Sequence, residues 1–290
     1  MDNKKIKVQG LVSSYNRVNI TLPSIRSLMN SQISNYIDFQ ILLVDDKSSD
    51  ETIRLVSGEF PFIKIIKTNG NLYWAGAMKY GWNKLDNYDF DYLFMFNDDT
   101  FFFQNSLNHL VELAEKNRNT IIAGSISSCK DNLKIIYGGV KRKNLHPLKF
   151  KGSENNFGVN NPDTCNMNAT LVPLKIIKDI GFLDKHCTHS KADFEFGLRA
   201  KKNKYNIMAT NSPIGCTELN EKKSENFYFE DSLFKTLKGL NHPKKIPYKE
   251  RYFYYKKYGG FFWIILFLIP YLRIIFLFLI RKYFFLKRSK

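Results

Sequence analysis

A mostly parallel α/β sheet covered by helices on both faces, carrying an apolar helical extension at its C-terminus, is the fold class the sequence predicts. Three observations lead to it. Short apolar runs alternate with amphipathic helical segments up to about Ser125, polar clusters follow each of the first four runs, and the residues from Asn241 onward differ from the rest in charge and hydropathy.

Taken in order, the runs are "IKVQGLVS", "FQILLVD", "IKIIK", "YLFMF" and "TIIAGSI", and the helical segments between them cover about 20–31, 50–57, 74–85 and 104–116. Strands that alternate with helices in this way form right-handed β-α-β units, so the strands lie parallel with helices on the faces. Ligands of such sheets collect beyond the carboxyl ends of the strands. Those ends carry "SSYNR", "DDKSSDET", "TNGNLYWAGAM" and "NDDT".

Beyond Cys129 the pattern predicts a hairpin around "LKIIYGGVKRKN", a Gly/Asn-rich loop "KGSENNFGVNNPD", a helix from about Lys191 carrying "ADFEFGLRAKK", a strand "YNIMAT" and a helix over about 228–240. The expected organisation is a sheet domain over 1–240 and a basic apolar segment over 241–290. The domain divides into a nucleotide-binding half, about 1–126, and an acceptor half, 127–240.

Formal net charge is +17, with 44 Lys and Arg against 27 Asp and Glu, which favours an anionic partner. From Asn241 onward twelve basic residues face the single acid Glu250, so the last sixth carries +11 and the main body only +6. The body is therefore not expected to bind nucleic acid. Cys129, Cys165, Cys187 and Cys216 lie far apart without a C-x-x-C pair, which fits a reducing compartment better than a disulfide scaffold. The N-terminus enters a strand at once, without an apolar stretch of signal-peptide length, so a cytosolic location is expected.

The run "FFWIILFLIPYLRIIFLFLI" has the length of a membrane span. Arg273 near its centre would cost roughly 2.5–3.5 kcal/mol in a bilayer core, Pro270 interrupts the backbone ladder, and both flanks are basic. A kinked segment lying in one leaflet, its lysines and arginines on anionic headgroups, accommodates all three facts. The alternative is a buried core helix, which would need a larger host to cover a run apolar on every side.

"YLFMFNDDT" ends a buried strand on adjacent carboxylates. That is costly without compensation, and a divalent cation, Mg²⁺ or Mn²⁺, compensates it while binding a diphosphate. Helix capping by Asp98 and Asp99 is the structural alternative. Asp45 and Asp46 close the second strand, where an acceptor-only side chain can take the imide N–H of a pyrimidine base or ribose hydroxyls.

"VSSYNR", "LLVDDKSSDET", "GNLYWAGAM", "FNDDT" and "GFLDKHCTHSKADFEFGLRAKKNKYNI" occur in the order and spacing of family 2 glycosyltransferases of the GT-A fold, and the resemblance covers about Lys7 to Thr210. It implies an inverting transferase that uses a nucleoside-diphosphate sugar, such as a UDP- or dTDP-sugar. Tyr15, Asn16, Arg17, Asp45 and Asp46 match nucleotide-binding positions. Asn97, Asp98 and Asp99 match the Asp-x-Asp metal motif with Asn at its first place, which leaves Asp99 as the expected direct metal ligand and Asp98 beside the donor. Asp193 in "ADFEFGLR" falls on the general base, with Ala192 where the family has another acid. Trp74 would wall the sugar pocket.

Glu195 and Arg199, four apart on the predicted helix, read as an ion pair. The spacing of His186 and His189 is weak evidence for metal. A sugar nucleotidyltransferase would need a Gly-rich phosphate loop in place of "SSYNR", and a non-catalytic basic membrane module would have no use for carboxylates on three loops. Resemblance and tail together point to a lipid-linked or growing surface glycan as acceptor, with the enzyme peripheral on an anionic membrane at the cytoplasmic face.

Overall fold

The structure is a computed structural model that describes residues 4–85, 88–143, 146–153, 157–218 and 225–288. The middle of the predicted Gly/Asn loop, 154–156, lies outside the described residues. Contacts divide the chain into two units, residues 1–143 with 150–219, and residues 144–149 with 220–290.

In the first unit the chain runs β1 (Ile6–Ser14), α1 (Val18–Met29), β2 (Ile37–Asp45), α2 (Thr52–Glu59), β3 (Lys64–Lys67), α3 (Tyr73–Trp82), β4 (Tyr92–Phe96), β5 (Phe101–Phe102), α4 (Ser106–Lys116) and β6 (Thr120–Ser128). It continues with β7 (Asp131–Tyr137), β8 (Gly139–Arg142), β9 (Phe150–Lys151), β10 (Thr164–Cys165), β11 (Ala169–Pro173), α5 (Leu174–Ile180), α6 (Ala192–Lys202) and β12 (Asn206–Thr217). The large sheet has the order β3-β2-β1-β4-β11-β6-β12-β5, with β7 on β6, and β10-β8-β9 form a small second sheet.

The parallel pairs β1–β2, β2–β3 and β1–β4 bring four strand ends to one edge, as predicted. β1 and β2 pair over their full length with Ser14 opposite Asp45, so the chain leaves both strands side by side. All five residues of β4 are buried, and Phe94, Phe96 and Phe102 stack into the core beneath α1 and α4. A second layer on the other face packs α3, α5 and α6 around Leu42, Met78, Leu93, Met95 and Phe196.

The predicted hairpin does not form. β7 pairs with β6, whereas β8 enters the small sheet, and Gly138 at φ +138° stands at the break, in a backbone conformation that L side chains rarely adopt. Alternating apolar residues specify strands but not their partners. The helix expected over 228–240 is shorter, α7 (Leu233–Gly239), and the strand after α6 is longer than "YNIMAT".

The cysteine reading is corrected at one pair. Cys129 follows β6 and Cys216 lies in β12; the parallel pairing of these strands brings the cysteines together, and they form a disulfide across a sequence separation of 87. Their distance in sequence concealed a lateral neighbourhood in the sheet. Cys165 and Cys187 are buried and form no disulfide. Closing a loop this long constrains the unfolded chain, so Cys129→Ser should lower stability by about 2–4 kcal/mol. Melting curves with and without reductant check it: wild type should shift down in reductant and the variant should not.

The second unit holds α7, α8 (Tyr248–Tyr258) and α9 (Trp263–Arg288). Tyr252 packs against Trp263 and Phe267, Tyr255 packs against Phe267, and the Tyr271 hydroxyl donates to the Ile246 carbonyl. α9 continues through Pro270. Its segment Trp263–Lys282 has mean hydropathy 2.6 and is only 6% buried, with Ile264, Leu272 and Phe276 more than half exposed.

Candidate active site

The four strand ends place most of the expected residues on connected loops. From the β1–α1 turn, the Asn16 N–H donates to Ser48 Oγ, and the Ser49 N–H and hydroxyl donate to Asn16 Oδ1, which ties this turn to the loop after β2. Tyr15 beside it is 55% exposed. The Val18 N–H at the start of α1 donates to Asp50, a link across the same two loops.

Asp45 and Asp46 have different duties. Asp46 accepts from the Thr68 hydroxyl and from the Leu72 and Tyr73 N–H groups, so it holds the loop that opens α3. Asp45 accepts from the Ser48 N–H on Oδ1, while its Oδ2 is buried with no partner. Trp74 follows on that loop, half-buried, with its indole N–H also buried and unpartnered. A buried donor or acceptor without a protein partner is costly in a folded protein, so such atoms are suited to meet a polar group of a ligand.

Asp98 and Asp99 do not cap α4. Arg17 forks across them, Nη1 to Asp98 Oδ1 at 2.9 Å and Nη2 to Asp99 Oδ2 at 3.0 Å. The Thr21 hydroxyl donates to Asp98 Oδ2 at 3.1 Å and shares a hydrogen bond with Ser14. Burial pushes the Asp98 carboxyl up to about 6, Arg17 opposing the shift and neighbouring Asp99 adding to it. Asn97 is fixed through its backbone, its N–H donating to the Asn168 carbonyl at 3.1 Å. Sequence reading assigned Arg17 to the nucleotide; in the structure its guanidinium belongs to the carboxylate pair.

The pair suits a divalent cation. Asp99 Oδ1 is buried without a partner, the donors are hard carboxylate oxygens, and Mg²⁺ or Mn²⁺ needs only one or two of these when phosphate oxygens and water complete its shell. No cluster of three or more His, Cys, Asp or Glu occurs among the described residues. His186 pairs with Asp184 instead, and Cys216 is committed to its disulfide.

Asp193 reaches this edge through a segment that sequence reading missed. β11 lies antiparallel to β4 with Ala169 opposite Phe96, so the residues entering β11 stand beside those leaving β4. In "NMN" there, the Asn168 carbonyl receives the Asn97 N–H, and the Asn166 amide donates to Asp193 Oδ2 at 3.4 Å. Two residues of chain span at most about 7 Å, so the base candidate and the carboxylate pair hang from one short strap. Nothing but a pair of asparagines before an apolar strand could have pointed to it.

α6 is seated close to the small sheet. A Cβ on Gly197 would stand 2.2 Å from Thr164 Oγ1, and that hydroxyl donates to the Phe194 carbonyl. Burial raises the Asp193 pKa above the ordinary aspartate value, opposed by the Phe194 N–H, Lys191 and Asn166. Glu195 is fully buried, and Arg199 grips both of its oxygens while donating to the carbonyls of Ile180, Gly181 and Phe182. The expected ion pair is present and leaves Glu195 a structural anchor.

This architecture has known counterparts. A crystal structure of GalNAc-T7 with UDP, GalNAc and Mn²⁺ superposes with a TM-score of 0.61 at 12% identity over 83% of this chain; the matched part is 49% of GalNAc-T7, so the chain spans about half the length of that protein. TarS residues 1–349 from S. aureus superpose with a TM-score of 0.54, again at 12% identity, over 85% of this chain and 82% of TarS. Both likenesses concern the GT-A fold. No curated protein matches the sequence. The family model of glycosyl transferase family 2 matches residues 11–171, which run from β1 through the strand-end loops and the carboxylate pair into β11. With more than half of the chain inside that match, the protein belongs to glycosyl transferase family 2.

Proposed function

We propose that the protein transfers a sugar from a nucleoside-diphosphate sugar to a hydroxyl of a lipid-linked or growing surface glycan, by a single displacement that inverts the anomeric centre. One observation carries this reading: a paired set of carboxylates and a separate, desolvated carboxylate stand on one strand edge, joined by the strap from Asn166 to Asn168. Displacement at an anomeric carbon needs a base for the acceptor proton and positive charge for the departing diphosphate.

Asp193 takes the proton from the attacking hydroxyl, and its raised pKa makes it a stronger base than a solvated aspartate. Asn166 orients its carboxylate. Asp99 and Asp98 hold a divalent cation, Mg²⁺ or Mn²⁺, which when bound supplies charge to the donor's diphosphate. Asp45 keeps an acceptor oxygen for the base or ribose, Tyr15 and Asn16 border the nucleotide, and Trp74 offers its indole N–H beside the sugar. UDP is the first nucleotide to test, since GalNAc-T7 was crystallised with it.

A panel of UDP- and dTDP-sugars, incubated with the full chain and Mn²⁺ and assayed for released nucleoside diphosphate, tests the reading. Slow hydrolysis of one donor, accelerated by a polyprenyl-linked glycan, is the expected result. No hydrolysis of any donor and no UDP binding would sink it.

The exposed apolar face of α9 and the +11 charge from Asn241 onward support a place on an anionic membrane at the cytoplasmic face. The full chain should float with anionic vesicles. Salt should weaken the association only in part, because it screens the lysines over a Debye length of about 8 Å but not the apolar contact. Release of all the protein by salt would assign the binding to charge alone.

A further inference from the structure

Arg17 is the outermost member of the carboxylate site. Its side chain is 37% exposed, against 8% for Asp98 and 18% for Asp99. Its backbone carbonyl accepts the Ile20 and Thr21 N–H groups at the start of α1, so the backbone is pinned and any change of partner must come from the side chain. Between them, Arg17 and Thr21 take three of the four carboxylate oxygens, and Asp99 Oδ1 has no partner among the described residues.

The charges make this arrangement conditional. Two carboxylates and one guanidinium sum to one negative charge. A divalent cation entering alone must take oxygens that Arg17 holds, or else lie beside a guanidinium in a half-buried site where like charges repel strongly. Metal and Arg17 together leave an excess positive charge, which a diphosphate reverses. Arg17 can then turn to phosphate oxygens, for which its planar fork is suited.

We infer that Arg17 is an internal counter-cation that keeps free metal off Asp98 and Asp99 and passes to the donor's diphosphate on binding, so that divalent metal and nucleoside diphosphate enter as a coupled pair. This rests on the proposed metal-dependent donor site. It adds an order: metal alone binds poorly, and nucleotide and metal raise each other's affinity, as linkage requires.

The test titrates Mn²⁺ alone, followed by its electron paramagnetic resonance signal, and then UDP at saturating Mn²⁺, on wild type and Arg17→Met, with circular dichroism as the folding check. Arg17→Met should bind Mn²⁺ alone about tenfold more tightly, within the usual range of coupling between sites. It should bind UDP more weakly than wild type does. Opposite shifts for the two ligands are the signature, because general damage to the site would weaken both.

Unchanged or weaker Mn²⁺ binding in a folded Arg17→Met overturns the inference. If Arg17→Met does not fold, Arg17→Gln decides, since the amide keeps a polar side chain but removes the positive charge: its Mn²⁺ affinity should also rise, and a failure to rise overturns the inference. If UDP binds to no form of the protein, the donor reading fails, while Mn²⁺ titrated alone still decides the role of Arg17.

Discussion

Replacing Asp193 by Asn lowers glycosyl transfer by roughly 10²- to 10⁴-fold, the usual contribution of a positioned base, and leaves the affinity for UDP with Mn²⁺ almost unchanged. The substitution keeps the size of the side chain and the hydrogen bond from the Phe194 N–H, but the amide cannot accept the acceptor's proton. Steady-state rates against UDP titrations separate the two effects. Turnover near that of wild type would place the base elsewhere, and the burial of Glu195 against Arg199 makes that residue a poor substitute.

The same carboxylate predicts a pH effect with a definite sign. A base at Asp193 would work ionised, so kcat/KM should fall as pH drops through its pKa, which burial sets above the ordinary aspartate value. The Asn166 amide stabilises the ionised form, and Asn166→Ala should therefore move the acid limb to higher pH. A limb that stays in place would show that Asn166 positions something other than Asp193.

Asp99→Ala removes the metal stimulation of donor binding. With Mn²⁺ present, the variant should bind UDP about tenfold or more weakly than wild type, and no better than it does in EDTA, because a diphosphate set beside a remaining carboxylate is repelled without a cation between them. Asp99 carries the orphaned oxygen, whereas Asp98 is also tied to Thr21 and α1, so Asp98→Ala should in addition reduce stability. Calorimetric titrations of wild type and Asp99→Ala, with Mn²⁺ and with EDTA, give the four values. Equal affinity in all four would remove the metal from the account.

Much of this site was legible because it lies at ends of strands whose pattern is strong. "YLFMF", short, aromatic and bounded by polar residues, reads as a buried strand, and once it is parallel to "IKVQGLVS" the residues that follow each must meet at one edge. Asp45, Asp46, Asp98 and Asp99 were found by that logic, and Arg17 through the family resemblance of "SSYNR". Asn166 was not, because its value comes from β11 running antiparallel beside β4, and a short apolar strand does not announce its neighbour. The misread hairpin at Gly138 and the unseen Cys129–Cys216 bond have the same origin.

By itself the sequence determined the alternating strands and helices of the first half, which of their ends carry polar residues, and that the last fifty residues carry both the excess charge and the apolar run. Those properties depend on local periodicity and composition, which a linear string contains. Only the tertiary structure decided that Arg17 faces the carboxylates, that Asp46 serves its own loop and that Asn166 ties Asp193 to the strand beside β4. Each of these is a contact between groups distant in sequence or a competition among several partners for one carboxylate. The winner is set by sheet order and burial, which no local stretch of residues encodes.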